Sequence, residues 1–262
     1  MRRNRLIRQA APWLVGLVVI LAWELLCRLF GVPEFILPPP SAILGALAAR
    51  WADIVSQAGY TLGMTTLGFL LAVVVGLALG VLIGSSRLVY KGLYPVLIAF
   101  NSIPKVAVVP VLVIWFGVGQ WPAILAAFLV SFFPIVVNVA TGLATIQPEL
   151  TDVLRSLGAS RLQILRKVGI PGSMPYLFAS LKISITLAFV GAVLAETIAS
   201  NRGVGALIVA AGARFEVPLV FAGLVVIAAM GVAMYAVCAR IERWLTFWTV
   251  RDTALAAGMG GG

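Results

Sequence analysis

A chain of 262 residues that is 62% hydrophobic, only 11% charged and has a mean hydropathy of +1.10 is not built to sit in water, because soluble domains carry about a quarter charged residues. Nineteen Lys and Arg against nine Asp and Glu give a formal charge of +10; on so apolar a background that excess points to a lipid surface, and with no aromatic platform or reading motif among the basic residues it excludes nucleic acid. There is no histidine, and Cys27 and Cys238 lie far apart inside apolar runs, which removes a metal-ligand cluster, a disulfide framework and a Ser/His or Cys/His nucleophile.

In chain order, Arg2, Arg3, Arg5 and Arg8 precede an apolar run that continues through Trp23 and Leu29 with no small-residue cleavage site. It reads as an uncleaved first span and not as a signal peptide. Stretches of about twenty apolar residues, the length that crosses a bilayer core, occur six times: 12–30, 58–84, 92–117, 121–145, 174–199 and 218–239. Each should be a helix, since lipid offers no partner to an unpaired backbone group. Between the first two, residues 31–57 contain Pro33, Pro38, Pro39, Pro40 and Ser41. The prolines forbid a helix at the start, after which Ser41 can cap a short helix through Trp51, read as a connector along the membrane face.

In the second span Gly76, Gly80 and Gly84 recur every four residues, a stripe that lets another helix approach closely. The third span is interrupted: Asn101, Ser102, Pro104, Lys105 and Pro110 put two helix breakers and several polar groups inside an apolar stretch. Such a break is tolerated only against protein or a water-filled cavity, so it is expected to line a path. Lys105 has two readings there, a partner for a solute anion or a side chain snorkelling to the interface. Ser131 and Asn138 in the fourth span are weaker path candidates, of a type often satisfied by helix backbone.

The next loop, Gln147 to Pro171, carries two helix signals. Pro148 suits the first turn of a helix running to about Leu157, with Glu149 and Asp152 near its positive end, and Gly158 terminates it. Ser160 and Gln163 form a capping-box pattern for a second helix, about Arg161 to Val168, stopped before Pro171. Two short helices meeting at a glycine corner are predicted.

In the fifth span Lys182 and Glu196 are fourteen residues apart, nearly on one face but about 21 Å apart along the axis, so they cannot pair. Lys182 is placed to snorkel, whereas Glu196, with Thr197, is expected to face a cavity. Asn201, Arg202, Gly203 and Gly205 form the turn that follows, either part of an outer gate or a plain loop.

Orientation follows from the basic residues. With the N-terminus cytoplasmic, the tail, Arg87 and Lys91, Arg155, Arg161, Arg166 and Lys167, and Arg240, Arg243 and Arg251 place thirteen inside, against Arg28, Arg50, Arg202 and Arg214 outside. Both termini are then cytoplasmic. The expected layout is a cytoplasmic tail over 1–11, a six-span domain over 12–245 with its loop at 147–171, and a cytoplasmic tail over 246–262.

The stretch Arg155-Ser-Leu-Gly-Ala-Ser-Arg161, followed by Ile170-Pro171, resembles the cytoplasmic EAA loop of binding-protein-dependent ABC permeases. Trp23-Glu24-Leu-Leu, Leu37-Pro-Pro-Pro-Ser-Ala42, Asn101-Ser-Ile-Pro-Lys105, Val113-Ile-Trp-Phe-Gly117, Phe132-Phe-Pro134 and Ala195-Glu196 are similar to the nitrate/sulfonate/taurine branch. One departure is Asp152-Val153-Leu154 where that family often has Glu-Ala-Ala. The resemblance implies an all-α type I importer permease of the bacterial inner membrane, working by alternating access. It implies as partners a second copy of the chain, two ATPase subunits that bind ATP and Mg, and an extracytoplasmic binding protein. It also implies that Asp152, Arg155, Ser156, Leu157, Gly158, Ala159, Ser160 and Arg161 couple the chain to the ATPase. The chain itself has no G-x-x-x-x-G-K-[ST] run to cradle phosphates, so the motor must be a separate polypeptide. The rival is an ion-coupled secondary transporter using Glu24, Lys105 or Glu196. An embedded enzyme lacks the clustered carboxylates or activated nucleophile it needs.

Overall fold

The computed structural model describes residues 2–85, 87–144 and 148–245, and for residues 2–13, 87, 148, 150, 151, 161 and 245 the backbone only; the predicted tail 246–262 and Gln147 at the start of the loop lie outside them. The described residues are almost wholly helical: α1 Arg2–Leu29, α2 Pro40–Ala49, α3 Trp51–Gly84, α4 Arg87–Asn101, α5 Lys105–Phe116, α6 Gln120–Ala144, α7 Pro148–Ser156, α8 Arg161–Ile164, α9 Ile170–Ala199, α10 Val204–Ala213 and α11 Val217–Leu245.

The core is α6 packed between α3 and α9. Glycines make the approach possible, and their partners lie in the same chain. A Cβ on Gly76 would meet Ile135 at 2.9 Å, one on Gly80 Val139 at 2.7 Å, and one on Gly84 Leu143 at 2.9 Å. Gly68 extends the stripe against Ala127. Contacts advance in the same direction along both helices, from Gly68–Ala127 to Gly84–Leu143, so α3 and α6 run parallel. Parallel neighbours require the chain between them to cross back, and α4 with α5, bent by 84° at the break, is that return. The break therefore belongs to a span and is not a re-entrant loop. α9 runs antiparallel to α6, since Gly142 abuts Ser173 and Gly191 abuts Ala126. α11 runs antiparallel to α9, with Lys182 bonded to Glu242 at 2.8 Å and Phe189 in one cluster with Met234.

Length and composition make four helices spans, and the bent pair a fifth, against the six predicted. The remaining one, 12–30, falls on α1, which has 28 residues, a length of about 42 Å. Trp23 near its C-terminal end lies 6.2 Å from Phe221 at the start of α11. The bundle thus has two ends: one bears α7 and the C-terminal ends of α3, α6 and α11, and the opposite one bears α2, α10 and the starts of α6 and α11.

Two expectations need correction. Pro171 does not stop the loop's second helix; Leu165–Gly169 forms a π-turn that runs directly into α9. The wider turn changes the hydrogen-bond register ahead of the ring, so the N–H that proline lacks falls where the helix changes pitch. Likewise, Ser41 does not cap α2. Pro40 opens that helix, and Glu24 of α1 caps it from outside, accepting the Ser41 N–H at 3.0 Å and the Ser41 hydroxyl at 2.8 Å while pairing with Arg28 at 2.6 Å. A carboxylate suits a helix N-terminus electrostatically. The Trp23-Glu24 and Pro38–Ser41 motifs, separate in sequence, therefore meet.

Candidate coupling and translocation site

At the loop end, α7 finishes in a Schellman arrangement: the Ala159 N–H donates to the Leu154 carbonyl at 2.9 Å and the Gly158 N–H to Arg155 at 2.9 Å. Gly158 takes φ of +79°, the left-handed conformation this termination requires. The capping box closes reciprocally, the Ser160 N–H donating to Gln163 Oε1 at 2.8 Å and the Gln163 N–H to Ser160 Oγ at 3.3 Å. A capped corner results; beside it Asp152 pairs with Arg155 at 3.5 Å and the Ser156 hydroxyl donates to Val153 O. Arg161 opens α8 directly after it. The corner also leaves apolar side chains uncovered: Val153 is 57% exposed, Leu157 77% and Leu162 59%. Exposed apolar groups on a short amphipathic helix are the expected form of a surface that docks.

Mid-chain, the structure brings Asn101, Ser102, Pro104 and Lys105 together at the bend. Ser102 and Pro104 are exposed and Asn101 and Lys105 half-buried. The Lys105 ammonium donates to the Asn101 carbonyl and, at 2.7 Å, to Asn101 Oδ1, so it satisfies the broken end of α4. Neither sequence reading anticipated this capping role, although the i, i+4 spacing of Asn101 and Lys105 permits it.

The other path candidates are placed differently. Ser131 is fully buried, its hydroxyl donating to the Ala127 carbonyl at 2.7 Å, and the Asn138 amide donates to Pro134 O at 2.8 Å; both are satisfied by their own helix. Thr197 donates to Leu194 O. Glu196 does not face a cavity: it is 1% exposed. Its Oε2 accepts the Thr61 hydroxyl at 2.9 Å and the Gly205 N–H at 3.1 Å. Thr61 Oγ1 in turn accepts the Val204 N–H at 2.9 Å, and Gln57 Oε1 accepts the Gly203 N–H at 2.6 Å. The amide of Gly203 and the first two amides of α10 are thus capped by side chains of α3 and α9. Sequence reasoning missed Gln57 and Thr61; the available signal was a polar pair spaced i, i+4 in an apolar helix. Lys182 does not snorkel freely, being paired with Glu242.

Residues 72–247 match the family of binding-protein-dependent transport system inner membrane components. The chain belongs to that family. Among relatives of this permease, the riboflavin transport system permease protein RibX of Chloroflexus aurantiacus is 35% identical over 88% of this chain and 87% of its own. The taurine transport system permease protein TauC of Escherichia coli is 30% identical over 88% and 86%, and the formylaminopyrimidine transport permease protein ThiX of Halalkalibacterium halodurans 27% identical over 90% and 95%. The fold matches a chain of the inward-facing MetNI methionine ABC transporter with a TM-score of 0.66 at 23% identity, covering 76% of this permease and 98% of that chain. The permease is therefore the transport subunit of an ABC importer, not an enzyme, and ATP hydrolysis belongs to a separate subunit.

Proposed function

We propose that the permease spans the bacterial inner membrane six times with both termini cytoplasmic and imports a small anionic solute of the sulfonate, nitrate or taurine kind. It does so by alternating access, as a homodimer with two ATPase subunits that bind ATP and Mg and an extracytoplasmic binding protein that delivers the solute. The observation that carries this reading is the capped corner at Gly158, which offers Val153, Leu157 and Leu162 uncovered on a chain with no phosphate cradle of its own. The corner docks on the ATPase and transmits its movement. Basic residues concentrated at that end support a cytoplasmic location for it.

The path runs by the bend between α4 and α5. Exposed backbone and the half-buried Lys105 are costly against lipid, so water in a path or a second copy of the chain covers them. Lys105→Ala removes one charge-assisted contact, worth about 1.5–3 kcal/mol, and is expected to lower uptake of an anionic solute by about tenfold or more while a neutral solute is affected far less. Initial uptake rates of nitrate or an alkanesulfonate against riboflavin check this. Equal losses for both classes take Lys105 out of the path. The import reading as a whole is tested by uptake in energised vesicles: it should fail on ATP depletion and persist with an uncoupler.

A further inference from the structure

The cap on α10 joins three elements that are remote in sequence. Gln57 and Thr61 come from α3, Glu196 from α9, and the capped amides from Gly203, Val204 and Gly205. Its fit leaves no room for substitution on the backbone side. Gly203 has φ of +101°, and a Cβ there would overlap the Glu196 carboxyl group; a Cβ on Gly205 would lie 2.7 Å from the Val193 carbonyl oxygen. The neighbouring turns are tied into the same unit: the Gly119 N–H donates to the Ala199 carbonyl at 3.1 Å, the Arg202 N–H donates to Ser200 Oγ at 3.1 Å, and the Arg202 guanidinium lies 5.0 Å from the Tyr60 ring centroid. All of this sits at the end of the bundle opposite the coupling corner.

Within the cap, Glu196 uses one oxygen for both of its bonds. Oε1 is buried and has no hydrogen-bond partner among the described residues, so an amide whose oxygen occupies the Oε2 position supplies the same acceptor. The cap requires an acceptor at this point and not a charge.

We propose that Glu196 is a positioning residue for transport: as the shared acceptor of a buried three-helix cap, it locks the ends of α3, α9 and α10 into one body that moves as a unit during the transport cycle. This rests on the importer reading and adds to it the element that carries motion at the end remote from the ATPase. The proposal makes Glu196 indifferent to solute and to proton, unlike an ion site of a secondary transporter.

The test uses the full permease assembled with its ATPase subunits in membranes, with Cys27 and Cys238 replaced by serine and Asn201→Cys as the reporter, since Asn201 is exposed beside the cap. Labelling by a membrane-impermeant maleimide is followed with and without ATP plus vanadate. In the otherwise unaltered chain, and in Glu196→Gln, the labelling rate is expected to change with nucleotide by about threefold or more. In Glu196→Ala and Thr61→Val it should be fast and independent of nucleotide. Hydrogen exchange on the same variants should show the Gly203–Gly205 amides exchanging about tenfold faster or more in Glu196→Ala and Thr61→Val, with α6 unchanged. Glu196→Gln behaving as Glu196→Ala, or Glu196→Ala keeping the nucleotide response, overturns the proposal. A reporter that never responds to nucleotide in the unaltered chain counts against the ATP-coupled reading, and the exchange measurement still decides whether the cap exists.

Discussion

Gly158→Val should leave the permease inserted and stable but reduce ATP-dependent uptake about tenfold or more. The residue stands at φ of +79°, where a side chain with a Cβ costs about 1–2 kcal/mol and a β-branched one more. That strain is relieved by abandoning the Schellman bonds from Ala159 and Gly158, which swings α7 relative to α8. Nothing lies within 4 Å of the position a Cβ would take, so the membrane body feels no clash and the defect is confined to the corner. Asparagine tolerates the left-handed region, so Gly158→Asn should stay within about threefold of the unaltered chain. Uptake normalised to the amount of protein in the membrane separates the two. Unaltered uptake in Gly158→Val removes the corner from coupling.

Gly80→Leu acts on a different link of the chain from sequence to function. At Gly80 even a methyl group would lie 2.7 Å from Val139 Cβ and 3.1 Å from the Val136 carbonyl oxygen, between two parallel helices whose separation the stripe sets. Overpacking of this kind costs about 1–3 kcal/mol for small insertions, and an isobutyl group at the centre of the α3–α6 contact should exceed that. The expected result is a several-fold loss of folded permease in the membrane, with loss of all transport in proportion. Gly63, on the same helix with nothing within 4 Å of its Cβ position, is the control: Gly63→Leu should accumulate as the unaltered chain does. Detergent-extracted yield and protease resistance read both variants. Equal yields of the two would mean that the glycine stripe does not set the α3–α6 spacing.

What could be read from the sequence was what local rules govern. The capping box at Ser160 and Gln163, the turn at Gly158 and the small-residue stripe of α3 each depend on residues within about five positions of one another or on one helix face, and each is present in the structure. The continuation of the helix through Pro171 was not legible because it depends on the π-turn at Leu165–Gly169, and that register shift has no composition signal of its own. Glu196 was singled out as an unusual residue but given the wrong surroundings, since its partner Thr61 lies 135 residues away; periodicity says which face a residue occupies and not what covers that face. Lys182 is the same case, with Glu242 its partner across to α11. In an apolar bundle, polar side chains find one another across the fold, so their roles are the last thing a single sequence reveals.

On the proposed function, the corner at Gly158 meets a nucleotide hydrolase on the cytoplasmic side. The direct measurement is cross-linking in intact membranes from single cysteines at Leu157, 77% exposed on the corner, and at Phe215, 79% exposed at the opposite end. Leu157→Cys should yield an adduct with an ATP-hydrolysing subunit and resist an impermeant thiol reagent applied from outside, whereas Phe215→Cys should do neither. An external label on Leu157→Cys, or a corner that cross-links to no such subunit, would contradict the account.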